Sequence, residues 1–253
     1  MYALIRPVSP AMQRCELTHL PRAPLDLALA ESQHGRYARA LESLGCRLVE
    51  LTVEPELPDS VFVEDTVVVL DEIAVLTRPG AAARRAEVAS VARALERWRS
   101  CTQIDAPGTL DGGDVLRVGR RIFVGQSGRS NAEGIRQLAA TLVPRGYEVV
   151  PVPMRGCLHL KSAVTLVGPE TLLINDDWVD RGPWPGMRFV AVAPDEPHAA
   201  NALWIGDTVI HAASGARTRE RLEAAGLRVL PVDVSEMEKA EGAVTCCSVI
   251  FRP

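Results

Sequence analysis

The stretch Thr66-Val67-Val68-Val69-Leu70-Asp71-Glu72-Ile73-Ala74-Val75-Leu76-Thr77 decides the fold. Two runs rich in β-branched residues flank an acidic dipeptide, the pattern of two short strands joined by a tight turn. Just downstream, Val88, Val91, Leu95 and Trp98 recur at three- and four-residue spacing, which predicts an amphipathic helix over roughly residues 83–98. Strand, turn, strand, helix is therefore a unit that can be sought elsewhere in the chain.

It returns at Val115–Val118 and Arg121–Val124, joined by Gly119-Arg120, with a helix capped by Asn131 and a third strand over 147–152. It returns again at Ala202–Ile205 and Thr208–His211, joined by Gly206-Asp207, with a short helix from Thr218 that stops at Gly226 and a closing strand over 227–232. A weaker copy spans Ala163–Val167 and Thr171–Ile174. The N-terminal part offers a strand at 2–6, a helix near 32–44 and a strand at 47–53. Five units of about 50 residues suggest a closed array, and the helix in each argues against an all-β propeller. The expectation is an α/β fold of five ββαβ-type units around a central axis, forming one domain over residues 1–253. A doubly wound sheet is the alternative. No Gly-x-Gly-x-x-Gly follows a strand and no P-loop is present, which argues against a nucleotide enzyme.

The formal net charge of -4 gives no general attraction to nucleic acid or anionic membrane. The N-terminus lacks the basic and apolar regions of a signal peptide, and no apolar run approaches the ~20 residues that span a bilayer. A cytoplasmic protein with reduced thiols is expected. Its six cysteines form no Cys-x-x-Cys pair, so a structural zinc site is not expected.

Reactive groups gather where strands end. Asp59, Glu64 and Asp65 bracket what reads as a short apolar strand, and carboxylates so placed can grip a guanidinium. Asp111 and Asp114 flank two glycines, which permit close approach of backbone or ligand. His159 is the best acid–base candidate among five histidines. Cys246 and Cys247 read as strand residues pointing to opposite faces, so one thiol is expected at a site and the other in packing. A cysteine nucleophile needs a histidine and a carboxylate, and an axial fold would bring these distant residues together. Arginines beside an acidic pocket fit a ligand carrying a carboxylate as well as a cationic side chain.

Taken in order, Pro58-Asp-Ser-Val-Phe-Val-Glu-Asp65, Thr77-Arg-Pro-Gly80, Leu110-Asp-Gly-Gly-Asp114, Arg129-Ser-Asn131, Leu158-His-Leu-Lys161, Ala200-Asn201 and Val244-Thr-Cys-Cys-Ser-Val249 resemble the dimethylarginine dimethylaminohydrolase family of the guanidino-group-modifying, or pentein, superfamily. The resemblance runs along nearly the whole chain and implies a five-bladed α/β propeller. It implies hydrolysis of methylated arginines to citrulline through a covalent cysteine intermediate. Cys246 would be the nucleophile, His159 the acid–base and Asp111 the carboxylate that orients the histidine or touches the guanidinium. Glu64 and Asp65 would bind the guanidinium, Asp59 the substrate's amino group, and Arg84 and Arg129 its carboxylate. Leu17 is expected in a lid, and Ala240 to offer a backbone carbonyl. No cofactor is implied, and zinc would act only as an inhibitory ligand of Cys246. The partner is a small methylated arginine, and the protein a monomer or homodimer. An arginine deiminase, a hydrolase of another guanidine, and a non-catalytic binding protein on the same fold are the competing readings.

Overall fold

The computed structural model describes all 253 residues, arranged as five three-stranded sheets. The first sheet is made by both ends of the chain: β1 (Tyr2–Ile5) lies between β2 (Arg47–Glu50), parallel to it, and β15 (Val249–Phe251), antiparallel to it. The other four are contiguous in sequence: β3–β5 (Val67–Val69, Ala74–Leu76, Cys101–Gln103), β6–β8 (Val115–Val118, Arg121–Gln126, Glu148–Pro153), β9–β11 (Val164–Gly168, Thr171–Ile174, Arg188–Ala191) and β12–β14 (Ala202–Ile205, Thr208–Ala212, Arg228–Val232). Each begins with an antiparallel hairpin and ends in a strand parallel to the middle one. A parallel neighbour requires a crossover, which explains why a helix follows most hairpins.

The crossovers are α1 (Leu27–Ser43), α2 (Val88–Leu95), α3 (Ala132–Leu142) and α5 (Ala216–Ala224). Asp26 caps α1 through Leu29 N–H, and Asn131 caps α3 through Gly134 N–H, so both starts have a local cause. The apolar faces of these helices are buried: Val88, Val91 and Leu95 of α2 pack with β3 and β4, and Ile135, Leu138 and Leu142 of α3 with the next sheet. The innermost strands β3, β6, β9, β12 and β15 all border one axial cavity of ≈ 350 Å³. The axial array of five units is the expected one.

Three local expectations give way. Residues 83–98 are not one helix: Ala82–Glu87 form a tighter 3₁₀ segment before α2, because Arg84 turns inward to Asp65 and Glu87. Residues 60–63 are not a strand; they form a turn leading into a 3₁₀ segment, Val63–Thr66. The fourth unit crosses from β10 to β11 without a helix, through a proline-bearing stretch over 175–187. A short helix, α4 (Leu160–Ala163), precedes that unit, and another, α6 (Ser235–Glu238), precedes the C-terminal turn. No helix is long and apolar enough to cross a membrane.

Candidate active site

The catalytic candidates meet at one end of the axis, on the turns that lead into the innermost strands. A small cavity of ≈ 20 Å³ is lined by Asp59, Asp65, Arg84, Arg129, His159, Ala240 and Cys246, together with Glu16 and Glu241. Residues separated by 230 positions, Glu16 and Cys246, thus share one small space.

His159 is buried, and its Nε2 lies 3.1 Å from Asp111 Oδ2; its Nδ1 is 3.8 Å from Asp65 Oδ1. Asp111 is fixed in turn, accepting from Gly80 N–H at 2.8 Å, while its own N–H donates to Ser130 Oγ at 3.0 Å. The glycines beside it are required by contact. A Cβ on Gly113 would stand 2.6 Å from His159 Nδ1, and one on Gly112 would stand 1.9 Å from the Glu64 carbonyl oxygen. Asp114 is fully buried, accepts from Ser127 Oγ, Ser130 Oγ and Leu160 N–H, and so anchors the residue that follows His159. Burial pushes the Asp114 carboxyl up to about 6.

Burial alone would lower the His159 pKa. The charge of Asp65 and the hydrogen bond to Asp111 outweigh it and raise the imidazole to about 9. The imidazolium is therefore the resting form at neutral pH. The Cys246 thiol moves the same way for a different reason: burial, then the negative charges of Glu64 and Asp65, hold it well above its ordinary value. The resting site thus pairs an un-ionised thiol with a protonated histidine. Donor atoms of Asp65, Asp111 and His159 lie within 4.8 Å of one another, close enough to share a cation; in this arrangement the imidazolium supplies the positive charge.

The two adjacent cysteines do not alternate across a strand. Residues 243–248 form turns, with Cys246 N–H donating to Ala243 C=O and Ser248 N–H to Thr245 C=O, and β15 starts only at Val249. The turn separates the thiols: Cys246 lines the cavity, while Cys247 is 1% exposed in the core. Burial and Glu64 push the Cys247 thiol up to about 12, which leaves it unreactive.

Two expected ligands of the substrate are already engaged. Glu64 does not line the catalytic cavity. Its carboxylate accepts from Lys161 Nζ at 2.6 Å and Thr245 Oγ1 at 2.7 Å, and both ion-pair partners line the axial cavity instead. A mid-chain lysine was there to satisfy it, which the spacing of motifs does not reveal. Arg84 lines the catalytic cavity but is buried, donating to Glu87, Asp65 and the Phe62 and Asp59 carbonyls. That leaves one N–H on Nη1 without an acceptor. Leu17, expected in a lid, packs against the main core cluster and does not line the cavity.

Sequence reading missed several residues that shape the site. Asn201 donates to Thr245 Oγ1 and the Lys161 carbonyl and accepts from Thr245 N–H, joining the turn after His159 to the turn before Cys246. Glu16 and Glu241 reach the cavity from segments without a strong pattern. Only the cluster Ala200-Asn201 in the ordered motifs hinted at the first of these.

Five blades that deliver a cysteine, a histidine and several carboxylates to one axial end define a guanidino-group-modifying enzyme of the pentein class. Solved structures of an arginine dihydrolase domain share the fold, with a TM-score of 0.85 at 20% identity over 98% of this chain and 97% of that one. The family model described as eukaryotic N,N dimethylarginine dimethylhydrolase matches residues 24–182. An N(G),N(G)-dimethylarginine dimethylaminohydrolase of Streptomyces coelicolor is 44% identical, covering 99% of this chain and 96% of its own length. The Pseudomonas aeruginosa enzyme, solved as a cysteine-to-serine mutant with citrulline, superposes with a TM-score of 0.95 at 34% identity, over 99% of this chain and 98% of that one. The chain belongs to the dimethylarginine dimethylaminohydrolase family.

Proposed function

We propose that the protein hydrolyses asymmetric dimethylarginine and monomethylarginine to citrulline and dimethylamine or methylamine. The observation that carries this reading is the convergence of Cys246, the His159–Asp111 pair and the carboxylates Asp65 and Asp59 on one cavity. The substrate guanidinium is a permanent, resonance-stabilised cation that water attacks poorly. Asp65 fixes it with its central carbon over Cys246 Sγ. Asp59 takes the amino group. Arg129, with the remaining N–H of Arg84, takes the carboxylate, and the free carbonyl of Ala240 completes the shell.

The cation also changes the thiol. It offsets the negative charge of Glu64 and Asp65, so the bound substrate lowers the Cys246 pKa and the thiol proton passes to solvent. The thiolate forms a C–S bond, His159 gives its proton to the departing amine, and the C–N bond breaks. An S-alkylthiouronium remains. Neutral His159 then accepts one proton from water as the oxygen adds to that carbon; the C–S bond breaks as the remaining hydroxyl proton passes to the departing sulfur, so citrulline forms and Cys246 leaves as the thiol beside a protonated His159. Asp111 holds the imidazole ring through both transfers. The cycle uses no cofactor. Its free cysteines suit a reducing cytoplasm, and the protein is proposed to act there as a monomer or homodimer on a small molecule, with no nucleic acid or membrane partner.

The test is a citrulline assay with asymmetric dimethylarginine and arginine side by side, and Cys246→Ala as control. Citrulline from the methylated substrate alone, lost in the variant, supports the proposal. Citrulline from arginine would make the protein a deiminase. None from either, with folded protein and chelator present, would favour another guanidine or a binding role.

A further inference from the structure

The catalytic cavity, at ≈ 20 Å³, has room for about one water molecule. No arginine derivative fits it as it stands, so whatever covers it must move. The cover is the segment 16–20, between β1 and α1, and it is tied down at three places. Glu16 N–H reaches both carboxylate oxygens of Asp59 at 3.2 Å, and Thr18 Oγ1 accepts from Arg129 Nη2 at 2.9 Å. The third tie is Glu241. Its carboxylate accepts three consecutive backbone N–H groups, from Thr18 at 2.9 Å, His19 at 2.5 Å and Leu20 at 2.6 Å. None of those amides has another acceptor.

Glu241 is held for this contact. It is the only non-glycine residue at positive φ, 58°, a conformation that favours glycine. The next residue, Gly242, lies so close to Phe62 that a Cβ would stand 2.2 Å from the ring. On the far side of Glu241 lies a wider cavity of ≈ 360 Å³, bordered by His19 and Leu20 and by Asp195, Glu196 and Glu238. Leu158, Glu241 and Gly242 line both spaces, so the Glu241–cover contact is the partition between them.

We propose that Glu241 is a positioning residue: it is the latch of the cover, and the anchor that keeps it closed over bound substrate. This rests on the reading above for the substrate's amino and carboxylate groups. Those groups need Asp59 and Arg129, which in the free protein hold the cover. Substrate therefore replaces two of the three ties, and only the Glu241 tie outlasts binding. Opening joins the catalytic cavity to the acidic vestibule, through which a cationic ligand is admitted.

Amide hydrogen exchange resolved at residues 16–22 tests this in the full chain, with and without saturating citrulline. Glu241→Gly removes the carboxylate but suits the positive φ. It is expected to speed exchange at Thr18, His19 and Leu20 at least tenfold, with β1, α1 and the melting temperature unchanged. Glu241→Gln, which keeps one acceptor oxygen, should fall between. With citrulline, the wild type should keep its protection at 18–20 and Glu241→Gly should not. Unchanged exchange at 18–20 in Glu241→Gly overturns the latch, and loss of wild-type protection on citrulline binding overturns its persistence. Calorimetry reports citrulline binding separately. A wild type that binds none refutes the substrate reading instead, and the free-protein comparison still decides the latch.

Discussion

Replacing Lys161 with methionine isolates the ion pair beneath the thiol. Lys161 Nζ lies 2.6 Å from Glu64 Oε1, and the two side chains are only 18% and 11% exposed. Methionine keeps the length of the stem but removes the charge. Glu64 then keeps one hydrogen bond, from Thr245 Oγ1, and loses its counter-ion. Removing one partner of a buried pair costs about 3–5 kcal/mol, because the other charge stays desolvated. Residual exposure puts this pair at the low end, about 3 kcal/mol. For a chain of this size that is a fall in melting temperature of roughly 6–12 °C. Adding Glu64→Gln removes the stranded charge, so the double variant should recover most of the loss, a coupling of about 2 kcal/mol. The thiol reports the same charges. Glu64 and Asp65 raise the Cys246 pKa, so the midpoint of its alkylation rate against pH should rise in Lys161→Met and fall below wild type in the double variant. Thermal melts of the four proteins and iodoacetamide kinetics suffice. Single losses that simply add in the double variant, or a Lys161→Met protein within 1 kcal/mol of wild type, would refute the assignment of this pair.

Three further outcomes are expected. Cys246→Ser should abolish turnover while Cys247→Ser keeps much of it, and equal loss in a citrulline assay would mean that the turn at 243–248 does not separate their roles. Gly113→Ala should cut kcat at least tenfold with a smaller effect on folding, since its Cβ meets His159 Nδ1 at 2.6 Å and Asp65 Oδ1 at 2.8 Å; wild-type kcat in the variant would contradict that packing. His159 has a folded pKa of about 9 against an ordinary value of 6.5, so its contribution to stability is full below 6.5 and is lost as pH rises through about 9. That contribution is on the order of 3 kcal/mol, and melting temperatures over this window should decline in wild type and flatten in Asp111→Asn.

Most of the architecture could be read from residues 66–77 and their echoes, because hairpins of β-branched residues and capped helices are local events. Asn131 announced α3, and Gly226 ended α5 where expected. What failed was decided at a distance. Nothing near Arg84 in sequence shows that Asp65 would draw it inward and tighten the start of the predicted helix. The helix-free crossover at 175–187 lacks an amphipathic period, and its absence is easy to overlook when four neighbours have one. At the site, the sequence motifs pointed to Cys246, His159 and Asp111, and the fold brings these three together. Glu64 carried the right charge for a guanidinium, but its partner lies 97 positions away. Glu241 stands beside Ala240 in an unpatterned turn, and its three amide partners come from the other end of the chain.

The first sheet, built from Tyr2–Ile5, Arg47–Glu50 and Val249–Phe251, has a consequence for biosynthesis. Each of the other four sheets draws on one contiguous stretch and can pair as that stretch leaves the ribosome. The first waits with a bare edge on β1 until β15 is made. Cys246 arrives just ahead of β15, on the turn that docks when this edge is filled. The nascent chain thus carries His159 and its carboxylates long before it carries the thiol, and closing the ring also completes the candidate site.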